Sequence, residues 1–320
     1  MVRRSGLCIL AFAAVALVAR GWGEVTPERV KEIEARIGYL ANPDAHARRG
    51  SLRALIETGP EALPFLHKAI DERRESEIKL LCKAAVVGIS LKQKTPARPA
   101  QVSKPDGSHV TIQVTDARLS DILWQLTEQS GNAPVLAWPD GPEKPLTFEV
   151  TDLPYWRALE KLCDLTGLAL EWDNDSPIRG LGLLKSQHEK PPAVCSGPVA
   201  VRLEGVGIRR AFRPDSEESS LTLTFDLLWE DRLPVESASV VIGSLLTKDG
   251  RRLTSGAKPK LHMHEFGGPK SGGGFELTVD KFPGDVEGIA VLSGTVTLKM
   301  PEETGGPRSY EFVLTDLPIR

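Results

Sequence analysis

Residues 109–184 constrain this chain more than any other stretch, because they contain the same short sentence twice. Val114-Thr115-Asp116 leads into a helix-patterned run that closes at Gly131. Val150-Thr151-Asp152 leads into a second such run that closes at Gly167. At an offset of 36, Leu123 falls on Leu159, Leu126 on Leu162 and Gly131 on Gly167, and each copy runs on into a short apolar segment ending in Trp (Trp138, Trp172). Val110, Ile112 and Val114 alternate with polar residues at the period of a half-buried strand, and Leu119, Ile122, Leu123 and Leu126 then change to helical spacing. Ser120 is the expected N-cap of the first helix, with Leu119 and Trp124 as a hydrophobic staple. The second helix carries Trp156, Leu159, Leu162 and Cys163 on one face. The resulting order, β-α-β-β-α-β, predicts a two-layer α+β domain over residues 109–186, with both helices on one face of a small sheet.

The N-terminus stands apart. Arg3 and Arg4 precede an uncharged apolar run from Leu7 to Ala19, and Gly21-Trp22-Gly23 supplies small residues for cleavage. This is the pattern of a secretory signal peptide (1–23) cut near Gly23, and the apolar run is shorter than the ~20 residues a membrane span needs. The expected location is periplasmic or secreted. Removing Arg3, Arg4 and Arg20 from a chain of formal charge −3 leaves −6. That balance argues against nucleic acid as a partner, since non-specific binding needs a basic face. No later segment has the length and apolarity of a membrane span. The mature chain retains Cys82, Cys163 and Cys195, with no C-x-x-C pair to suggest zinc or dithiol chemistry. An odd count in an oxidising compartment permits one bridge and leaves one thiol over.

Four short helices are expected at 27–41, 43–58, 60–72 and 75–91, with Thr26-Pro27, Asn42-Pro43 and Gly59-Pro60 as start and stop signals. An offset of 31 aligns Ala47 with Ile78, Arg48 with Lys79, Ser51 with Cys82 and Leu55 with Val86. With the Gly-Pro turn between the copies, this stretch (24–93) resembles HEAT-type helical repeats, and Ala62-Leu63-Pro64-Phe65-Leu66 is similar to that family's second-helix wording. Two repeats bury too little apolar surface to stand alone, so the helices are expected to dock on the next domain or on a partner. Residues 94–108 read as a linker.

Residues 109–184 resemble the short N-terminal domain shared by secretins and TonB-dependent receptors. The resemblance is carried by Val110-Thr-Ile-Gln-Val-Thr, Leu119-Ser-Asp-Ile-Leu-Trp-Gln-Leu, Leu146-Thr-Phe-Glu-Val and the Leu165-Thr-Gly-Leu168 ending before a strand. It implies a periplasmic module that makes protein contacts and brings no catalytic residues. Nothing downstream resembles a secretin ring or a receptor barrel.

A Pro-rich hinge (187–198) precedes a region with two-residue periodicity, clearest in Leu221, Leu223, Phe225, Leu227 and Trp229. Strands at short spacing with Gly and Pro turns predict an immunoglobulin-like β-sandwich over 199–320. The whole chain is thus expected to be a multidomain α+β protein with three modules.

Candidate chemistry is sparse. His262 and His264 would share one face of a strand, as two imidazole ligands require, but no third ligand is identifiable and no metal is expected. Pro269-Lys270-Ser271 lies in a glycine-rich stretch that departs from a phosphate-binding loop, since no glycine directly precedes the lysine and a strand pattern follows. No catalytic residue or cofactor is assigned. The expectation is a non-enzymatic envelope scaffold or adaptor binding another envelope protein, a component of a secretion, pilus or outer-membrane system, through a strand edge of the middle domain and a helical surface around Arg48, Arg49 and Arg53. The alternative is a carbohydrate-binding or hydrolytic protein built on the β domain and exposed Trp residues. Partner identity and oligomeric state are not legible.

Overall fold

The computed structural model describes residues 25–92, 107–137, 144–173, 180–185, 191–213, 216–253, 259–262, 272–283 and 285–319. The signal-peptide pattern, the glycine-rich stretch around Lys270, and Trp138 and His264 lie outside the described residues.

The first helix, α1 (Pro27–Tyr39), begins as its cap residues dictate: Thr26 Oγ1 accepts from Arg29 N at 3.3 Å and Pro27 occupies the first turn. The second, α2 (Ala45–Thr58), starts two residues later than its sequence suggests. Asp44, not Asn42, is the cap and accepts from His46 N at 2.9 Å, while Asn42 Oδ1 accepts from Asp44 N. A 3-10 turn over Gly59–Ala62 leads into α3 (Leu63–Glu72), and α4 (Ser76–Lys92) follows.

These helices do not form the HEAT-type array expected from the offset of 31. α4 packs against α2, α3 and also the first helix of the next region. Its Leu81, Cys82, Ala85 and Ile89 belong to one apolar cluster with Leu52, Leu55, Ile122, Leu126 and Leu159. Because two hairpins cannot close a core by themselves, the missing apolar surface comes from a different kind of structure rather than from a third repeat.

That next region runs β1 (His109–Ala117), α5 (Leu119–Ser130), β2 (Leu136–Ala137), β3 (Leu146–Pro154), α6 (Tyr155–Thr166), β4 (Ala169–Asp173) and β5 (Gly180–Leu184). The repeat seen in sequence is a repeat in backbone geometry. Asp116 and Asp152 both adopt left-handed φ (53° and 48°), at the two places where the β1–β3 register shifts. Aspartate tolerates this conformation better than most residues with a Cβ, so each Val-Thr-Asp writes a bulge that bends the strand. Gly131 (φ 72°) and Gly167 (φ 67°) cap α5 and α6 in the same way, their amides donating to Thr127 O and Cys163 O. The Thr-Asp-Leu-Pro words at 151–154 and 315–318 share the left-handed aspartate, Asp316 having φ 53°, although the β12–β13 register does not shift there.

Two details depart from the sequence reading. The cap of α5 is Arg118, whose amide donates to Asp121 Oδ2 at 3.1 Å, so Ser120 lies inside the helix. The strands also divide between two sheets: an antiparallel β1–β3 ribbon and a mixed β2-β5-β4 sheet. Alternation specifies which face of a strand is buried, but not its neighbour. α5 and α6 pack against the ribbon, and α6 also against β4.

The remaining strands are β6 (Ala193–Ser196), β7 (Val199–Arg213), β8 (Ser216–Trp229), β9 (Ser237–Thr247), β10 (Lys260–His262), β11 (Gly272–Asp280), β12 (Gly288–Lys299) and β13 (Arg308–Pro318). They form two antiparallel sheets, ordered β10-β11-β8-β7-β6 and β13-β12-β9. Leu221, Leu223, Phe225, Leu227 and Trp229 face a second core, shared with Phe275, Leu292, Val296 and Phe312. The immunoglobulin-like sandwich is therefore corrected. The sheets divide five and three, and β13 packs against β6 while β10 packs against β9, so the sheets approach each other along both edges. The protein is a mixed α+β chain with a largely antiparallel β-rich C-terminal region.

Within β12, a Cβ on Gly294 would lie 2.6 Å from Phe312 Cζ and 2.7 Å from Val241 O. Neither the backbone oxygen nor a ring packed in the core can yield, so Gly294→Ala is expected to lower stability by about 2 kcal/mol. A urea-denaturation midpoint unchanged from the parent would refute the close packing.

Candidate functional site

The two cores meet at a buried polar junction that begins where β8 ends. Glu230 and Arg232 have nearly inaccessible side chains, and Arg232 Nε donates to Glu230 Oε2 at 2.6 Å. Glu230 also accepts from Ser108 N (2.8 Å), Ser108 Oγ (2.6 Å) and Asn132 Nδ2 (3.3 Å), joining the entry to β1 and the end of α5 to the β-rich region. Asp231 accepts from Ala133 N at 2.7 Å. Trp156 of α6 donates through Nε1 to Pro198 O at 2.9 Å. A buried charge is tolerable only when paired and hydrogen-bonded, and Glu230 meets that condition from both sides of the junction. Asn132 Oδ1 and Arg232 Nη2 are buried without a protein partner among the described residues.

Burial pushes the Asp231 carboxyl up to about 6, the Glu230 charge adding to the effect and backbone donors opposing it. Burial, with the neighbouring Asp231 and Glu230 charges, also raises the Tyr155 phenol well above its ordinary range. A carboxyl with a raised folded-state value binds its proton more tightly in the native state. Its contribution is complete below the unfolded value of roughly 4 and is lost as pH rises through about 6. Asp231→Asn is therefore expected to remove a fall in stability between roughly pH 4 and 6, visible in the difference between variant and parent melting temperatures across that window. Parallel pH profiles would show that Asp231 does not titrate there.

Beside the junction lies a cleft of about 330 Å³ between α6 and β4 on one wall and β6, β7 and β8 on the other. Its walls are mostly apolar, with Trp156, Leu168, Leu170, Ala200 and Leu228, and they include Cys163 and Cys195. Arg202 reaches the cleft but is held by an ion pair with buried Asp226 and a hydrogen bond to Leu170 O.

The residues singled out from sequence are placed differently. Arg48 Nη1 donates to Asn42 O (2.8 Å) and Pro43 O (2.9 Å), and its Nε pairs with Glu77 at 3.3 Å, so this side chain braces the α1–α2 turn against α4. Arg49 is half-buried and Arg53 exposed. His262 is the last residue of β10, and no group of three metal-binding side chains occurs among the described residues. Trp156 and Trp229 are buried, and Trp124 is half-buried with the ammonium groups of Lys79 and Lys83 over its ring at 5.1 and 5.4 Å. These three tryptophans form no exposed stacking row. Sequence reasoning missed the Glu230 junction, although Leu227-Leu228-Trp229 breaks the alternation of β8 and so signals a strand covered on both faces.

The exposed face of the β1–β3 ribbon carries His109, Thr111, Gln113, Thr115, Thr147, Glu149 and Thr151. Gln129 of α5 brackets Thr111, its Oε1 accepting from Thr111 N and its Nε2 donating to Thr111 O, both at 2.8 Å. Lys161 of α6 donates to Glu149 O at 2.7 Å. Helix side chains therefore occupy backbone groups that a third strand could otherwise use. No described helix is long and apolar enough to cross a membrane. No family model, curated protein or solved structure matches the chain.

Proposed function

We propose that this chain is an exported cell-envelope protein that works by binding another envelope protein rather than by catalysis. The observation that carries the reading is the β1–β3 ribbon, a polar, threonine-rich surface backed by α5 and α6 and braced through the Glu230 junction. A ribbon bent by two bulges, with backbone groups occupied at Thr111 and Glu149, suits recognition through side chains rather than addition of a strand. The leader-like N-terminus supports export to the periplasm or beyond. The resemblance of residues 109–184 to the secretin and TonB-receptor short domain supports a protein partner, and the repeated left-handed Asp and Gly positions agree with a duplicated strand–helix design. Trp124, Trp156 and Trp229, the tryptophans whose side chains are described, are buried or covered by lysines and so add nothing to the carbohydrate alternative.

The test is affinity capture from envelope extract of the native organism, with the exported chain as bait and quantitative mass spectrometry as readout. Recovery of one envelope protein in near-equal amount supports the reading. A bait recovered without any enriched envelope protein contradicts it.

A further inference from the structure

We infer that Cys163 and Cys195 form a disulfide across the cleft between α6 and β6, making this pair the chain's oxidation site. Three thiols in the described chain permit three pairings, and the fold selects among them. Cys82 lies fully buried in α4, where burial pushes its thiol up to about 12 and suppresses the reactive thiolate. Cys163 and Cys195 instead line the same cleft from opposite walls. Cys195 stands across the β6–β7 hairpin from Ala200, and both pack on the apolar cluster that contains Cys163 and Leu228. Both residues carry thiols in the structure, and Cys195 is the more accessible.

The chemistry requires a disulfide-class oxidant, which an oxidising compartment supplies. The Cys195 thiolate attacks one sulfur of the oxidant and releases one reduced thiol. The Cys163 thiolate then attacks the Cys195 sulfur, forming the internal S–S bond and expelling the second reduced thiol. Two protein thiols lose two electrons and two protons, and the oxidant's disulfide gains them as two thiols. A disulfide needs Cα atoms within about 7 Å, so the bond requires α6 and β6 to stand that close at the cleft and staples the two cores beside the Glu230 junction.

The test uses the purified, folded full chain incubated with oxidised glutathione, then alkylated and mapped after trypsin digestion. The expected product joins peptide Leu162–Arg179 to peptide Ser186–Arg202, leaves Cys82 unlinked and raises Tm by about 5 °C. Cys195→Ser, a mild change at a half-buried site, should fold normally and abolish both the linked peptide and the Tm rise. Full alkylation of Cys163 and Cys195 after oxidation would overturn the inference. So would glutathione persisting on Cys195, or a bridge that includes Cys82.

Discussion

Replacing Glu230 by Ala is expected to cost about 3–5 kcal/mol, because it leaves the buried Arg232 guanidinium without its counter-charge. The same change strands Ser108 and Asn132, whose donors converge on that carboxylate from the other core. Glu230→Gln keeps the shape and an acceptor oxygen but not the charge, so its loss should fall between that of the parent and that of the alanine variant. Urea denaturation followed by tryptophan fluorescence reads both, since Trp229 precedes the site and Trp156 hydrogen-bonds across the junction. A loss below about 1 kcal/mol for Glu230→Ala, the scale of a surface ion pair, would mean that the junction does not join the two cores.

Phe225→Ala should be of similar size for a different reason. Phe225 is fully buried in β8 and stacks on Phe275 with ring centroids 4.6 Å apart, while Phe275 in turn meets Phe312 of the opposing sheet at 6.4 Å. Truncation removes the ring's transfer free energy and leaves a cavity in a contact that spans both sheets, a loss of about 3–5 kcal/mol. Phe225→Leu fills most of that space and should cost markedly less. Calorimetry would distinguish the two, and near-equal melting temperatures for parent and Phe225→Ala would contradict a shared core between the sheets.

How much of this was readable beforehand depends on which property a residue encodes. The repeat at an offset of 36 was legible because Asp116, Asp152, Gly131 and Gly167 each specify a local backbone state, and local states survive translation from sequence to structure. Burial along β8 was legible for the same kind of reason, since Leu221, Leu223, Phe225 and Leu227 alternate with Thr222, Thr224 and Asp226. Strand partners were not. Val110 and Phe148 announce a buried face, but nothing local tells Leu136 that its neighbour is in β5 rather than β3.

The helical repeat misled because Ala47 and Ile78 record similar helix faces, whereas what closes the core of α4 is α5, from outside the repeat. In sequence Arg48 has the character of a surface residue, yet its side chain meets the carbonyls of Asn42 and Pro43 in the preceding turn and Glu77 of α4. The Glu230-Asp231-Arg232 run has the composition of a solvated turn. Only the docking of the middle region, hinted at by Leu228 on the second face of β8, makes it an interior site.

The most direct measurement compares capture by the parent bait with capture by a bait carrying Gln113→Arg and Glu149→Lys. These two residues are exposed cross-strand neighbours on the ribbon face, and both substitutions leave the core untouched. Recognition through that face predicts at least a tenfold loss of the co-purified envelope protein from a bait that stays folded, with only the small fall in melting temperature that two facing cations cause, because the interface must then bury two charges it has no groups to pair. Undiminished capture by the doubly substituted bait would show that the partner binds elsewhere and that the ribbon is not the recognition surface.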